Sequence, residues 1–353
     1  MSRLNVESVR HPDATADGLQ FNSDGTVIMP SVADSNLAAD SQRYVVFDKT
    51  GKMAVYTPPR VDPGSQGLIT KVGSETFVAV INPGETTLTL SEATTFSKIL
   101  VVGGGGGGSN GGGGGGLVAL CENFTIPAGT YTMEIGAGGG GNQATGGAGV
   151  KGSDTVMFKG SSYAVTATGG GAGALQDQYG SASYNGANGG GAYGWNGGSS
   201  TVSGGTGTKP SNVSASASNV WGSTSTITYY GGNAGGGGRS LDIGGPDGGS
   251  GGGAGAAGVS NATQSPPNGG AGVQITGMGP DGNTYYWAAG GGGRTKTGTK
   301  GLGANGSSGP YANAPNGGYN NVTSTAAGAN TGSGGGADGT AGAAGIIVLK
   351  YTH

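Results

Sequence analysis

Two aspartates, Asp242 and Asp247, stand close together in the segment SLDIGGPDGG. A pair of carboxylates is the equipment of a glycoside hydrolase, one group acting as acid and the other as base or nucleophile. Pro-Asp-Gly is also a common turn sequence, and Asp281 stands in the same context in GPDGN. We favour turns for all three aspartates. We therefore predict that the protein is not an enzyme, and a polysaccharide depolymerase using Asp242 and Asp247 is the alternative.

Histidine and cysteine, which often bind metals or take part in catalysis, are scarce in this chain. The two histidines, His11 and His353, lie near opposite ends, and Cys121 is the one cysteine. Val118, Leu120 and Phe124 surround Cys121 in the sequence, which favours a small buried residue over a reactive thiol. We expect no metal site, no disulfide within the chain and no cofactor.

The glycine runs raise the question of a phosphate-binding loop. The pattern GxGxxG occurs many times, but it carries little information in a chain with 86 glycines among 353 residues. The stricter pattern GxxxxGK[ST] does not occur, and no helical pattern follows any run to supply a dipole for a phosphate. The sequence therefore argues against nucleotide binding.

Aromatic residues between the glycine runs are the candidate binding residues. A flat ring flanked by Asn, Ser and Gly suits recognition of sugars or proteins, as in antibody loops. The alternative is that the rings cover the sides of the glycine-rich region or a subunit interface, which we favour for Tyr229, Tyr230 and the segment Tyr285–Trp287. The candidates for receptor binding are Tyr179, Tyr184, Tyr193, Trp195, Tyr311 and Tyr319.

Composition limits the partners. The formal net charge is −3 and only 10% of residues are charged, so no strong field attracts nucleic acid or anionic lipid. The N-terminal MSRLNVESVR lacks the apolar core of a secretion signal, and no stretch is long and apolar enough to span a membrane. We expect no nucleic-acid partner and no membrane insertion.

The segments that would position any functional site have the sequence patterns of β-strands. We therefore predict an all-β protein with almost no α-helix. Residues 1–60 contain two candidate hairpins, around Asp24-Gly25 and between YVVF and MAVY, and we expect them to attach and oligomerise the protein. Residues 61–95 form a β-rich connector, in which Ser91–Phe96 is the single candidate for a helical turn. Residues 96–353 alternate strands with glycine runs and are predicted to be one glycine-rich domain. Further hairpins are expected in DTVMFKGSSYAVTA and VQITGMGPDGNTYYWAA.

The glycine runs fit neither collagen nor a single flexible linker. Collagen needs glycine at every third position, which GGGAYGWNGGSST breaks, and a linker would not be interleaved with strands. Polyglycine helices with three residues per turn could instead pack side by side and bond to one another through their backbones. In the segment Ile99–Leu120 we predict two such rods, Gly103–Gly108 and Gly111–Gly116, joined by a Ser109-Asn110 turn and flanked by strands of one sheet.

The order of these elements resembles a glycine-rich domain common in phage tail proteins. The residues that carry the resemblance are ILVVGGGGGG, the segment Phe124–Gly136, the strand start at Gly152–Asp154 and the closing segment Gly345–Tyr351. The opening LNVESVRHPDATADGLQFNSDGTVIMP is similar to a segment of phage structural and fibre proteins. The adhesins of T-even-like phages are similar in combining polyglycine helices with variable loops at a tip.

The resemblance implies a β-sandwich flanked by polyglycine helices, located in the virion. It implies a tail fibre or receptor-binding protein of, for instance, a marine or cyanobacterial phage. Residues 1–60 would contact other tail, baseplate or virion proteins, and the glycine-rich domain would recognise a host surface glycan or outer-membrane protein. We expect a homotrimer, because N-terminal strands with so few large apolar residues need partners. The alternatives are a purely structural virion component, such as a capsid decoration or tail accessory fibre, and an antifreeze-like glycine bundle.

Overall fold

A computed structural model describes most of the chain from Arg60 onward and four short strands before it. For the strands before Arg60 only the backbone pairing is described. The described residues are 20–21, 27–28, 44–47, 53–56, 60–142, 147–175, 184–194, 201–239, 247–261, 266–294, 302–303 and 327–352.

The described residues are almost entirely β-strand and extended chain, which confirms the predicted all-β class. The one helical element among them is a single 3-10 turn at Gly64–Gln66. The strands are β1 (Gln20–Phe21), β2 (Val27–Ile28), β3 (Tyr44–Phe47), β4 (Met53–Tyr56), β5 (Val61–Asp62), β6 (Gly67–Val72), β7 (Glu75–Val80), β8 (Gly84–Leu90), β9 (Thr94–Val102), β10 (Val118–Ile126), β11 (Gly129–Ile135), β12 (Thr155–Lys159), β13 (Val165–Ala167), β14 (Thr201–Val202), β15 (Thr226–Tyr230), β16 (Gly238–Arg239), β17 (Val273–Ile275), β18 (Tyr285–Trp287) and β19 (Ile346–Thr352).

Two antiparallel sheets pack face to face as a β-sandwich. The first has six strands in the order β15-β10-β9-β19-β7-β6, and the second has five in the order β13-β12-β11-β8-β5. Strands from both sheets contribute to one apolar core, which includes Val78, Ile99 and Leu349 from the first sheet and Leu88 and Met133 from the second. Residues 61–95, predicted to be a connector, contain the strands β5 to β8, which are members of these two sheets.

The centre of the six-stranded sheet is buried on both faces. Its outer face is covered by a second apolar cluster in which Leu100 and Val348 pack with Ile275, Met278 and Trp287 from the β17–β18 hairpin and its turn. This explains the uninterrupted apolar runs ILVV in β9 and IIVL in β19, because a strand covered on both faces has no polar side.

Most predicted local elements are present. The pairs β1–β2, β3–β4, β12–β13 and β17–β18 are the four expected hairpins. Cys121 is a buried free cysteine, as predicted, and burial, helped by the Glu122 carboxylate, raises the pKa of its thiol. The predicted helical turn at Ser91–Phe96 is wrong: β9 begins at Thr94, where Thr94 and Thr95 pair with Ile126 and Thr125.

The molecule has two distinct ends, which we call the base and the tip. The base is the end at which the chain joins the sandwich after Arg60. There the carbonyl of Arg60 accepts a hydrogen bond from the amide of Ser91, and Val61 pairs with Leu90 at the end of β8. The glycine runs adjoin the opposite ends of the strands, at Val102, Val118 and Ile135 among others. These runs pack together into one body, the glycine bundle, made of residues 103–117, 136–142, 147–153, 168–175, 184–194, 201–208, 231–239, 247–261, 266–272, 288–294 and 332–345.

Candidate functional site: the glycine bundle and its tip

Rod 1, Gly103–Gly108, continues β9 and forms hydrogen bonds that repeat every three residues. Gly103 and Gly106 donate to the carbonyls of Leu117 and Gly114, and Gly104 and Gly107 donate to those of Ser153 and Val150. Gly105 and Gly108 donate to Ala343 and Thr340, and all six bonds have donor–acceptor distances between 2.8 and 3.0 Å. A helix with three residues per turn presents its amides in three directions, so this pattern identifies a polyglycine II helix.

The carbonyls of rod 1 bond to a different set of neighbours. Those of Gly104 and Gly107 accept from Gly170 and Gly173, those of Gly105 and Gly108 accept from Gly139 and Asn142, and that of Gly106 accepts from Gly335. Three segments therefore accept from the rod and three others donate to it, which is a hexagonal arrangement of helices. The predicted polyglycine rod is confirmed, and its six amides and the carbonyls of Gly104–Gly108 are paired, as buried groups must be.

Rod 2, Gly111–Gly116, runs antiparallel to rod 1 and leads into β10. Gly111 and Gly114 donate to Ala174 and Gly171, Gly112 and Gly115 to Gly249 and Gly252, and Gly113 and Gly116 to Gly335 and Gly332. The two rods bond to each other, and β9 and β10 pair in the six-stranded sheet. Ser109-Asn110 is thus the turn between two rods of matched length, as predicted.

Close backbone contact explains why these positions are glycine. A Cβ placed on Gly106 would overlap the carbonyl oxygen of Gly171, and one on Gly139 would overlap that of Val150. Gly140 is the instructive exception, because the nearest atom to a Cβ there is Cγ2 of Val150, at 4.0 Å. The requirement for glycine is therefore steric, and it is set at each position by the neighbouring rod.

One buried side chain bonds to several backbones inside the bundle. The amide of Asn188, which is fully buried, donates to the carbonyls of Gly115 and Gly116 at 2.9 and 3.0 Å. Its oxygen accepts from the backbone amide of Asn233 at 3.2 Å. The Asn188 side chain thereby makes hydrogen bonds that the backbone of a neighbouring rod makes elsewhere in the bundle.

The tip is the end of the bundle furthest from the sheets, and it carries the Ser109-Asn110 turn. Several segments outside the described residues are flanked by residues located there. Asn142 donates to Gly108, Asn110 donates to Ala174, and the amide of Gly194 donates to Asp247. The segments flanked in this way are 143–146, 176–183, 195–200, 240–246, 262–265 and 295–301.

A buried charged group stabilises the tip. Arg294 donates from Nη1 to the Asp338 carboxylate at 3.2 Å and from Nη2 to the Tyr193 hydroxyl at 2.9 Å. Its guanidinium lies 4.8 Å from the centre of the Tyr193 ring, and the side chains of Arg294 and Asp338 are only 10% and 9% exposed. The backbone amide of Asp338 donates to Ser109 at 2.7 Å. These contacts join the glycine run that ends at Arg294 to two turns of the tip, Ser109-Asn110 and the turn that contains Asp338.

The six aromatic candidates have different positions. Tyr184 and Tyr193 are 3% and 7% exposed and pack with Ala174 in a small apolar cluster. Their rings fill space between glycine rods, so they are not placed to touch a receptor and we leave them out of the proposed binding surface. Tyr179, Trp195, Tyr311 and Tyr319 lie outside the described residues. Of these, Tyr179 and Trp195 belong to segments flanked by the tip. Tyr229, Tyr285 and Trp287 are buried on strands, Tyr229 in the core of the sandwich and Tyr285 and Trp287 in the cluster that covers the outer face of the six-stranded sheet.

The structure describes two of the three aspartates, Asp247 and Asp281. Asp247 is 2% exposed, and its backbone exchanges two hydrogen bonds with Arg239; Asp242 lies outside the described residues. Asp281 is a turn residue, accepting from the amide of Asn283 at 3.0 Å and the hydroxyl of Tyr285 at 2.7 Å. Partial burial favours the neutral form of Asp281, but these hydrogen bonds outweigh it and lower the pKa of the carboxyl.

Sequence reasoning missed Asn188, Arg294 and Asp338. Arg294 and Asp338 are separated by 44 positions, and no local motif links them. A single charged residue at the end of a glycine run, as in GGGGR, is the one signal that could have marked Arg294.

Comparison with protein families identifies the class of this molecule. Residues 81–352 match the glycine-rich domain family, so the chain belongs to that family. A search of curated proteins gave no match. In the described residues we find no helix long and apolar enough to cross a membrane and no group of three potential metal ligands.

Proposed function

We propose that this protein is a phage virion appendage, a tail fibre or receptor-binding protein, that attaches through its N-terminal region and presents the tip to the host surface. Residues 1–60 bind other tail or virion proteins and assemble a homotrimer. The tip segments bind a host glycan or outer-membrane protein, and no bond is made or broken.

The observation that carries this proposal is the opposite placement of the N-terminal entry and the tip. Arg60 lies at the base, beside Leu90 and Ser91, whereas residues flanking the tip segments lie beyond the glycine rods. A six-residue polyglycine helix adds about 19 Å to the length of the sandwich. The chain enters the fold at one pole, and the residues that flank the tip segments lie at the other. This is the arrangement that we expect of an adhesin.

The bundle is suited to hold such segments. Its rods are bonded to one another at each turn, so the residues that flank the tip segments have fixed positions. Binding surfaces held by a rigid scaffold lose less entropy when they bind. Tyr179 and Trp195, with their Asn, Ser and Gly neighbours, supply the aromatic surface that recognition of sugars or proteins uses.

The test is adsorption of particles that carry single substitutions to the bacterium on which they grow. We expect Tyr179→Ala and Trp195→Ala to reduce adsorption at least about tenfold, the loss of roughly 1.4 kcal/mol of binding, with the melting temperature of the protein unchanged. Tyr286→Ala is the matched control, because Tyr286 is a half-buried aromatic on β18 beside the sandwich, and it should adsorb normally.

The outcome also separates the alternatives. If all four of Tyr179, Trp195, Tyr311 and Tyr319 can be replaced without loss of adsorption, the protein is a structural component of the virion and the receptor proposal is wrong. Treating the cells with periodate destroys glycans and treating them with protease destroys proteins, so the treatment that abolishes adsorption identifies the receptor class.

A further inference from the structure

The last strand of the chain lies in the middle of the larger sheet. β19 pairs with β9 on one side and with β7 on the other. Its residues Ile346, Ile347, Val348 and Leu349 are fully buried, and they alternate between the two apolar clusters. Without β19 the six-stranded sheet would be divided into β15-β10-β9 and β7-β6, and each part would expose an apolar edge.

The segment just before β19 completes the glycine lattice. Thr340 and Ala343 accept from Gly108 and Gly105 of rod 1, and the amide of Gly335 donates to Gly106. Rod 2 depends on the same segment, because Gly113 and Gly116 donate to Gly335 and Gly332. Four glycine amides in the two central rods therefore obtain their partners from residues 332–343, and leaving such buried groups unpaired is costly.

We propose that residues 332–352 act as a strap that closes the fold last, so that the tip forms only after these residues have been synthesised and have docked. The strap bonds to the neighbouring residues 289–294, but its contacts with the central strands and rods are with residues 75–80 and 94–116, hundreds of positions earlier. Contacts so distant in sequence are the slowest to form. The remaining strands pair with partners that are nearer in sequence, as β9 does with β10 and β11 with β8. The strap thus links the presence of residues 332–352 to formation of the tip, independently of what the tip binds.

Two probes report on closure in the whole protein. The buried thiol of Cys121 reports on the sandwich, and the amides of Gly103–Gly116 report on the bundle through hydrogen exchange. A protease site inserted between Ala326 and Ala327 allows the full-length protein to be cut just before the strap after it has folded.

We expect the protein cut in its folded state to keep both probes protected, since the strap is held by its contacts with the rest of the protein. A chain ending at Thr331 should react at Cys121 at least about a hundredfold faster than the intact chain, as for opening of the whole fold rather than of one segment. Its glycine amides should exchange as in an unfolded peptide. Adding a synthetic peptide of residues 332–352 should restore protection of both probes.

A peptide carrying Ile347→Asp and Leu349→Asp is the control, and it should restore neither probe because both residues lie in the sandwich core. Protection of the thiol and the glycine amides in the chain ending at Thr331 would overturn the proposal, because the tip would then form without the strap. Failure of the unmodified peptide to restore protection would also overturn it, since the strap would then be needed early in folding rather than last.

Discussion

The sandwich and the glycine bundle belong to one folded body but obtain their cohesion in opposite ways. In the sandwich, large side chains such as Phe96, Phe124 and Leu88 are fully buried between two sheets. In the bundle the backbones themselves are in contact, and each turn of a rod bonds to its neighbours. Side chains fill the core of the sandwich, whereas the rods of the glycine bundle can pack closely because glycine has no side chain.

The two regions are therefore destabilised by opposite kinds of substitution. Removing atoms from the sandwich creates a cavity, whereas adding atoms to the bundle forces rods apart. Glycine loses more conformational freedom on folding than any other residue, so the bundle needs dense hydrogen bonding and the anchoring of its rods by strands. Four predictions test this contrast, beginning with the largest expected effect.

The largest effect is expected from truncating a sandwich residue. Phe124 is fully buried and stacks on Trp221 with ring centres 4.8 Å apart. We expect Phe124→Ala to lower the free energy of unfolding by about 3–5 kcal/mol, as for other buried aromatic residues, in a denaturant titration. Val220→Ala, next to Trp221 and 54% exposed in the native protein, is the control and should cost about 0.5 kcal/mol or less. Equal costs for the two variants would show that the sandwich core is not closely packed.

A slightly smaller effect is expected from adding one methyl group to the bundle. Gly139→Ala places a Cβ against the Val150 carbonyl and should lower the free energy of unfolding by about 3 kcal/mol, the upper part of the usual range for overpacking. The adjacent Gly140→Ala meets no atom closer than 4.0 Å and should be neutral or stabilising by about 0.4–1 kcal/mol, because alanine restricts the unfolded chain. Thermal and denaturant unfolding of the two variants would measure the difference. If they were equally stable, steric contact would not explain the glycines.

The same contrast decides what could be predicted from the sequence. Strands and hairpins follow from alternating or continuous apolar runs, and the two rods follow from equal glycine runs between strands that can pair. Which rod contacts which could not be predicted, because glycine has no side chain to mark a face. The pairing of rod 1 with residues 340–343 and 150–153 depends on the whole lattice.

The burial of side chains within the glycine bundle does not follow from their local sequence. Tyr184 and Tyr193 stand in polar, glycine-rich contexts typical of exposed loops, yet they are buried where rods leave a gap. Arg294 and Asp338 come together only when their rods pack. In the sandwich a residue's neighbours in the strand indicate its burial, whereas in the bundle burial is set by rods that are distant in sequence.

A moderate effect is expected where a side chain takes the place of a backbone in the lattice. Asn188→Ala removes two hydrogen bonds to Gly115 and Gly116 and one from Asn233. We expect the free energy of unfolding to fall by about 2 kcal/mol, the cost of leaving buried polar groups unpaired. Asn185→Ala is the control, because Asn185 is exposed and its side-chain oxygen accepts a hydrogen bond from the backbone amide of Thr206. Hydrogen exchange should be fastest in the segment around Gly115 in the Asn188 variant, and uniform exchange along both rods would contradict a local role.

The smallest effect is expected at the outer surface of the sandwich, where the interaction to be removed is an exposed ion pair and not apolar packing. The Lys159 ammonium contacts the carboxylates of Glu134, at 2.8 Å, and Glu85. Hydrogen bonds to Glu134 and Glu85 raise the pKa of Lys159 above its usual range. A raised lysine pKa stabilises the folded state at every pH below the ordinary lysine pKa, and this stabilisation is lost as the pH rises through the folded-state value. We expect Lys159→Met to lower the melting temperature slightly, by an amount that is constant from pH 7 to about pH 10, declines at higher pH and shrinks in about 1 M salt, where charges are screened within about 3 Å. A difference that grew with pH or persisted in salt would contradict a role for the Lys159 charge.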